Sequence, residues 1–214
     1  MALRKYELII ILLILTSFVL GIYFYPKMPD KIASHWNERG EVDGYMTKFW
    51  GLFLMPIVSI GLLLLFTIIP KIDPLRANIE KFRGYYDKFM ILLIVFFTYV
   101  HLLTVAWNLG LRLNLLQFLT PAFAILFYYS GILVENAKRN WFVGIRTPWT
   151  LSNEKVWEKT HKIGGKLFKI AGIIALLGIF FIDYAIFFVI IPVLGVTVYS
   201  IIYSYVEYQK VIKE

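Results

Sequence analysis

Three histidines, His35, His101 and His161, and the arginine Arg146 have the widest chemical reach in this sequence. His35 and Glu38 stand at i, i+3, a spacing that on a helix lets an imidazole and a carboxylate share a divalent cation. Two neighbouring ligands make a minimal metal set, and Glu38 can equally pair with Arg39 or Lys31. His101 lies in a run otherwise free of ionisable residues, with Thr98, Thr104 and Asn108 along one helical stripe. Asn114, Gln117 and Thr120 open the next apolar run. Together these side chains can form a polar pocket or act as hydrogen-bond links between helices. Arg146 has the planar fork that suits a carboxylate or a phosphate, and it can also pair internally with Glu135, Glu154 or Glu158. With no cysteine in the chain, thiolate metal sites, disulfides and cysteine nucleophiles are excluded. No P-loop, HExxH helix, nucleophile elbow or dinucleotide fingerprint occurs, so no cofactor is expected.

The elements that must position these residues are membrane helices. The 214-residue chain is 59% hydrophobic and 17% charged, and its hydrophobicity is concentrated in long runs. Several runs approach the ~20 apolar residues needed to cross a bilayer. The pattern predicts an all-α fold, a polytopic bundle of six transmembrane helices at about 6–25, 49–70, 89–108, 114–134, 167–182 and 184–206. Residues 1–214 form a single membrane domain. The apolar run after Arg4 and Lys5 is too long for a signal-peptide core and lacks a small-residue cleavage site, so it reads as a retained first helix. On this layout 17 Lys and Arg lie on one side and five on the other. That bias predicts a cell-membrane protein with both termini in the cytoplasm. The net charge of +8 then reads as contact with anionic membrane lipids, and no direct nucleic-acid binding is expected. His35 falls outside, His101 in the outer half of the membrane and His161 inside, so the three do not converge.

Three loops connect the spans with more than turns. In the outer loop, 26–48, Asp30 can cap a short helix that carries Ile32 and Trp36 on one side and ends at Gly40. Asp43-Gly44 is a turn signal. In the cytoplasmic loop, 71–88, Asp73 and Pro74 can start a basic amphipathic helix, with Leu75, Ile79, Phe82 and Tyr86 on the face toward inner-leaflet lipid. In the third loop, 135–166, Gly144 and Arg146 sit in a bend between Trp141 and Trp149. Thr147-Pro148 forces an extended step, and Ser152 or Asn153 can cap a helix to about Lys162. Gly164-Gly165 is expected to break that helix before the fifth span, where Lys169 can snorkel to the headgroups.

The segment "RNWFVGIRTPWTLSNEKVWEKTH", with its core "GIRTPWTL" followed by "VW" and "TH", resembles the signature of the SdpI family. The stretch "YPKMPDKIASHWNERGEVDGYMTK" resembles a block often found ahead of that signature. The resemblance implies a multi-pass membrane protein that gives immunity against an exported peptide toxin, the sporulation-delaying protein. In its best understood arrangement such a protein also retains a transcriptional repressor at the membrane. Exposure and motif position then nominate His35, Trp36, Glu38, His101, Asn108 and Gln117 for the toxin. They nominate Gly144, Arg146, Thr147, Pro148, Trp149, Trp157 and His161 for the cytoplasmic partner. The alternative is a membrane enzyme or transporter acting on a peptide or lipid through an outward polar or metal site.

Overall fold

The computed structural model describes residues 4–213, and six of its helices are long and apolar enough to cross a membrane. They are α1 (Lys5–Phe24), α2 (Lys48–Ile72), α4 (Arg83–Asn108), α5 (Leu115–Asn136), α7 (Glu154–Leu177) and α8 (Ala185–Lys213). Two short helices, α3 (Arg76–Lys81) and α6 (Pro148–Ser152), lie in the loops at one end of the bundle. At the other end stands a two-stranded antiparallel hairpin, β1 (Lys31–Trp36) and β2 (Val42–Thr47). With six crossings, both ends of the described chain lie opposite the hairpin.

The hairpin corrects the expected short helix, and with it the all-α reading. Its turn is Asn37–Glu41: the Asn37 side-chain oxygen accepts from the backbone N–H of Arg39 and of Glu41. Gly40 supplies the positive φ, +77°, that such a turn needs. Asp43-Gly44, read as a turn, lies within β2, where Gly44 stands opposite His35. The hairpin is seated by Ile32 and Ala33, both fully buried. A Cβ on Gly51, in the first turn of α2, would overlap the Ile32 side chain, so glycine there leaves the socket for it. Asn108, at the far end of α4, donates to the Ala33 carbonyl and accepts from the Ala33 N–H at 3.0 and 2.8 Å. Strand, socket and amide clamp fix the hairpin to the helices.

Two further expectations change. The basic amphipathic helix shrinks to α3, and its apolar residues turn inward. Ile79, Phe82 and Tyr86 are buried in one cluster with Tyr6, Ile10, Ile94, Leu133 and Trp157, so protein and not lipid covers that face. Asp73 starts no helix: it is the C-cap residue of α2, Leu75 is the N-cap of α3, and Asp73 accepts from the Leu75 N–H within the turn between them. The last third of what was expected to lie on the membrane surface, 83–88, is the first part of α4. Its charge is neutralised there, with Arg83 bonded to Asp87 at 2.7 Å and to the Tyr6 hydroxyl at 2.7 Å.

Gly164-Gly165 does not break α7, which continues unbroken from Glu154 to Leu177. The glycines instead let backbones touch. A Cβ on Gly165 would stand 2.7 Å from the Gly131 carbonyl oxygen, one on Gly131 2.5 Å from that of Gly165, and one on Gly172 2.6 Å from that of Ala124. Small residues are what tight helix pairing in a membrane requires, since lipid competes equally well for larger apolar groups. Lys169 does not snorkel alone; it bonds Glu135 across this seam at 2.6 Å. The bundle thus consists of two triplets, α1 with α2 and α4, and α5 with α7 and α8, joined along α4 and α5.

Candidate functional site

Residues 137–153, between α5 and α7, fold into a clasp at the end of the bundle opposite the hairpin. Asn140, fully buried, organises its start. Its side-chain oxygen accepts from the N–H groups of Phe142 and Val143, and its NH2 donates to the carbonyls of Lys138 and Val143. Asp73 accepts from Trp141 N–H at 2.9 Å, and Asn78 donates to the Arg139 carbonyl at 2.9 Å. These two bonds tie the loop of the first triplet to the clasp of the second.

The clasp closes on α7. Trp157 donates its indole N–H to the Ala137 carbonyl at 2.8 Å and stacks on His161, with ring centroids 3.8 Å apart. His161 Nε2 accepts from the Ile145 N–H at 3.0 Å, while Nδ1 faces the Trp157 carbonyl at 2.8 Å. A backbone N–H can only donate and a carbonyl can only accept, so the imidazole is the neutral Nδ1–H tautomer. Gly144 has φ of +116°, and a Cβ there would run into His161 Nε2. Glycine is required twice over, by the backbone angle and by the imidazole.

Beyond Gly144 the chain enters α6 through a reciprocal cap. Thr147 Oγ1 accepts from Thr150 N–H, and Thr150 Oγ1 accepts from Thr147 N–H. Pro148 occupies the first turn, where its missing N–H costs nothing. Thr147 also bonds Ser204 of α8 at 3.0 Å. Asn153 then caps α7 by accepting from Val156 N–H.

Of the seven residues nominated for a cytoplasmic partner, Thr147, Trp157 and His161 are buried, and Gly144 is covered by His161. None of these four offers a side-chain surface in this conformation, because each is consumed in holding the clasp. Arg146 and Pro148 are exposed, and Trp149 is half-buried against Tyr205. The Arg146 guanidinium donates to the Trp141 carbonyl at 2.7 Å and meets no carboxylate among the described residues. Of its expected partners, Glu135 holds Lys169 and Glu158 lies near Lys138. Asn140, Thr150 and Ser204 complete the clasp without having been singled out in the sequence, and Asp73, singled out only as a helix start, joins them. Asn140 and Thr150 were within reach, since both belong to the quoted stretch.

A cavity of about 520 Å³ opens between the two triplets beneath the clasp, walled by Phe66, Tyr86, Phe89, Leu133 and Phe168, with Arg146 at its exposed edge. A second, of about 460 Å³, lies under the hairpin. His35, Trp36, Glu38 and Asp43 line its polar side, and Leu115, Leu119 and Ile186 its apolar side. His35 is not paired with Glu38; its Nδ1 meets Asp43 across the strands at 2.5 Å. Among the described residues no group of three or more His, Asp or Glu could hold a metal ion.

His101, Asn108 and Gln117 stay outside this second cavity. His101 is fully buried between helices and neither ring nitrogen has a hydrogen-bond partner. Asn108 is committed to the hairpin backbone, and Gln117 N–H is capped by Asn114. The polar stripe expected to open outward is thereby divided into helix-internal and anchoring bonds, with Thr104 and Thr120 bonding back to Val100 and Leu116.

Residues 136–204, the clasp with α6, α7 and most of α8, match the SdpI/YfhL protein family. The chain is also similar to Immunity protein SdpI of Bacillus subtilis (strain 168), 28% identical over 207 residues that cover 96% of this chain and 97% of that protein. The resemblance to the SdpI family is thus shown by the signature region and by a relative along nearly the whole chain. In addition, residues 12–60 match a domain of unknown function, DUF1648, which spans most of α1, the hairpin and half of α2. The SdpI/YfhL match thus covers the clasp, and the second match covers the hairpin. No solved structure matches the chain.

Proposed function

We propose that this chain is an integral membrane immunity protein that protects its host against an exported peptide toxin, with the hairpin outside and the clasp in the cytoplasm. The likeness to Immunity protein SdpI along nearly the whole length of both chains carries the reading. The sidedness rests on the bias of Lys and Arg toward the clasp end. Under the hairpin, the toxin meets a cavity that is polar along the strands and apolar along the helices, an arrangement that suits an amphipathic peptide. Occupying that peptide outside would keep it from the bilayer. On the cytoplasmic face, Arg146, Pro148 and Trp149 form the surface that a repressor would meet, held out by the buried remainder of the signature. Sensing requires toxin and repressor to favour different states of the bundle.

Survival tests the immunity directly. A host sensitive to the sporulation-delaying toxin should survive exposure when it carries the wild-type chain. The His35→Ala/Glu38→Ala form, at matched membrane level, should lose protection by at least about tenfold. Both side chains are exposed, so folding should not suffer. An unprotected wild-type strain would end the immunity reading, and full protection by the variant would move the toxin contact away from the hairpin.

Sidedness has its own check, because the native chain contains no cysteine. In intact cells an impermeant maleimide should label Arg39→Cys and leave Ser152→Cys unlabelled until the membrane is opened. The reverse pattern would invert both faces.

A further inference from the structure

The cavity beneath the clasp has the chemistry of a lipid site. Its walls come from both triplets, and among the residues lining it Arg146 is the only charged one; no acid is present. The guanidinium keeps donors free beyond the one spent on the Trp141 carbonyl. Below it, in the wall formed by α8, Ser200 is buried and its hydroxyl has no hydrogen-bond partner. An unsatisfied buried hydroxyl is costly; Ser200 belongs to the cavity wall, with its hydroxyl closed in beside Gly164 of α7. Ser204, one turn along α8, bonds Thr147, the neighbour of Arg146. Arg146 and Ser200 therefore differ in depth by about one helical turn, ~6 Å. Deeper along the helices stand Phe168, Ser130 and Thr197, the two hydroxyls bonding back to Leu126 and Val193 within their own helices.

A single cation at the rim over a largely apolar lining follows the order of headgroup and acyl chain in a glycerophospholipid. We propose that this cavity binds an anionic phospholipid, with its phosphate on Arg146 and an acyl chain between the triplets. The planar fork of arginine suits two phosphate oxygens at once. A zwitterionic lipid brings its own cation beside the phosphate and gains less. Bound there, the lipid bridges α2 and α4 to α5 and α8, and it carries the contact between triplets that the protein leaves open. The site does not depend on the immunity reading.

The test is native mass spectrometry of the delipidated full chain, titrated with phosphatidylglycerol or with phosphatidylcholine of the same acyl chains. The first phosphatidylglycerol should bind about tenfold more tightly than phosphatidylcholine. Arg146→Gln should remove that preference, whereas Lys155→Gln, which deletes an exposed cation elsewhere on the clasp side, should keep it. Thr197→Trp, which fills the cavity from an exposed position on α8, should weaken both lipids. Thermal unfolding of each variant in detergent verifies that it is folded before titration. Equal binding of the two lipids, or a preference that survives Arg146→Gln, would overturn the proposal. So would inorganic phosphate that displaces the lipid at comparable concentration, since the site would then read a free anion.

Discussion

Gly165→Leu should leave little folded protein in the membrane. At this position α5 and α7 meet through their backbones, and the first added carbon would already stand 2.7 Å from the Gly131 carbonyl oxygen and from Glu135 Cβ. Neither obstacle is the free end of a flexible side chain, so the helices themselves must separate. Separation also opens the Glu135–Lys169 bond and the contact of Gly172 with Ala124. Overpacking a fitted interface costs ~1–3 kcal/mol, and a backbone collision belongs at the upper end or above it. The measurement is the monodisperse yield and unfolding temperature of purified protein. Gly195→Leu is the matched comparison, because nothing lies within 4 Å of a Cβ at Gly195. Similar losses at the two glycines would show that helix contact is not what Gly165 provides.

Gly144→Ala should open the clasp while leaving the membrane helices in place. Two costs add: a φ of +116° that side-chain-bearing residues avoid, ~1–3 kcal/mol, and displacement of His161 from the Ile145 N–H. A buried N–H left without an acceptor costs a further ~1–3 kcal/mol. Hydrogen exchange of residues 140–150 should rise steeply, with the interior of α7 still protected. Pairing Gly144→Ala with His161→Ala separates the two costs. Partial recovery of protection in the double variant would show that the imidazole collision dominates, and none would assign the cost to the backbone angle. Unchanged exchange in Gly144→Ala itself would mean that the clasp does not need this glycine.

The membrane-crossing parts were readable because one property, a long apolar run, is both necessary and visible. Each expected span corresponds to a helix, although α4 starts at Arg83 and α7 at Glu154, well before the apolar runs begin. In the sequence both early starts read as separate helices, one within 71–88 and one from Ser152 or Asn153 to about Lys162. With Arg83 paired to Asp87 one turn on and Lys159 to Glu207 of α8, each runs on into its span. The clasp was legible in its bends and caps, from Gly144, Thr147-Pro148 and Asn153. Its burial was not, since Trp157 and His161 look equally suited to a surface until Ala137 and Ile145 arrive to occupy them.

The hairpin was missed for a related reason. Six-residue strands have weak alternation, and Asp43-Gly44 is a stronger turn signal on paper than the Asn37–Glu41 turn that forms. What decides the matter lies far away in sequence, in the Asn108 amide and the space left by Gly51. The same distance hid the cavity beneath the clasp, whose walls are contributed by helices of both triplets.

The division into two triplets has a consequence for how the molecule is made. Every helix contact of α1, α2 and α4 with one another is available once the chain has been synthesised to Asn108. The second triplet likewise needs nothing upstream to bring α5, α7 and α8 together. Translation delivers them in that order, at ~5–20 residues per second. The ties from Asp73 to Trp141 and from Asn78 to Arg139 come afterwards, because each needs one partner from either triplet. Of the clasp's bonds the one from Thr147 must wait longest, because Ser204 lies on α8, the last helix to be synthesised among the described residues.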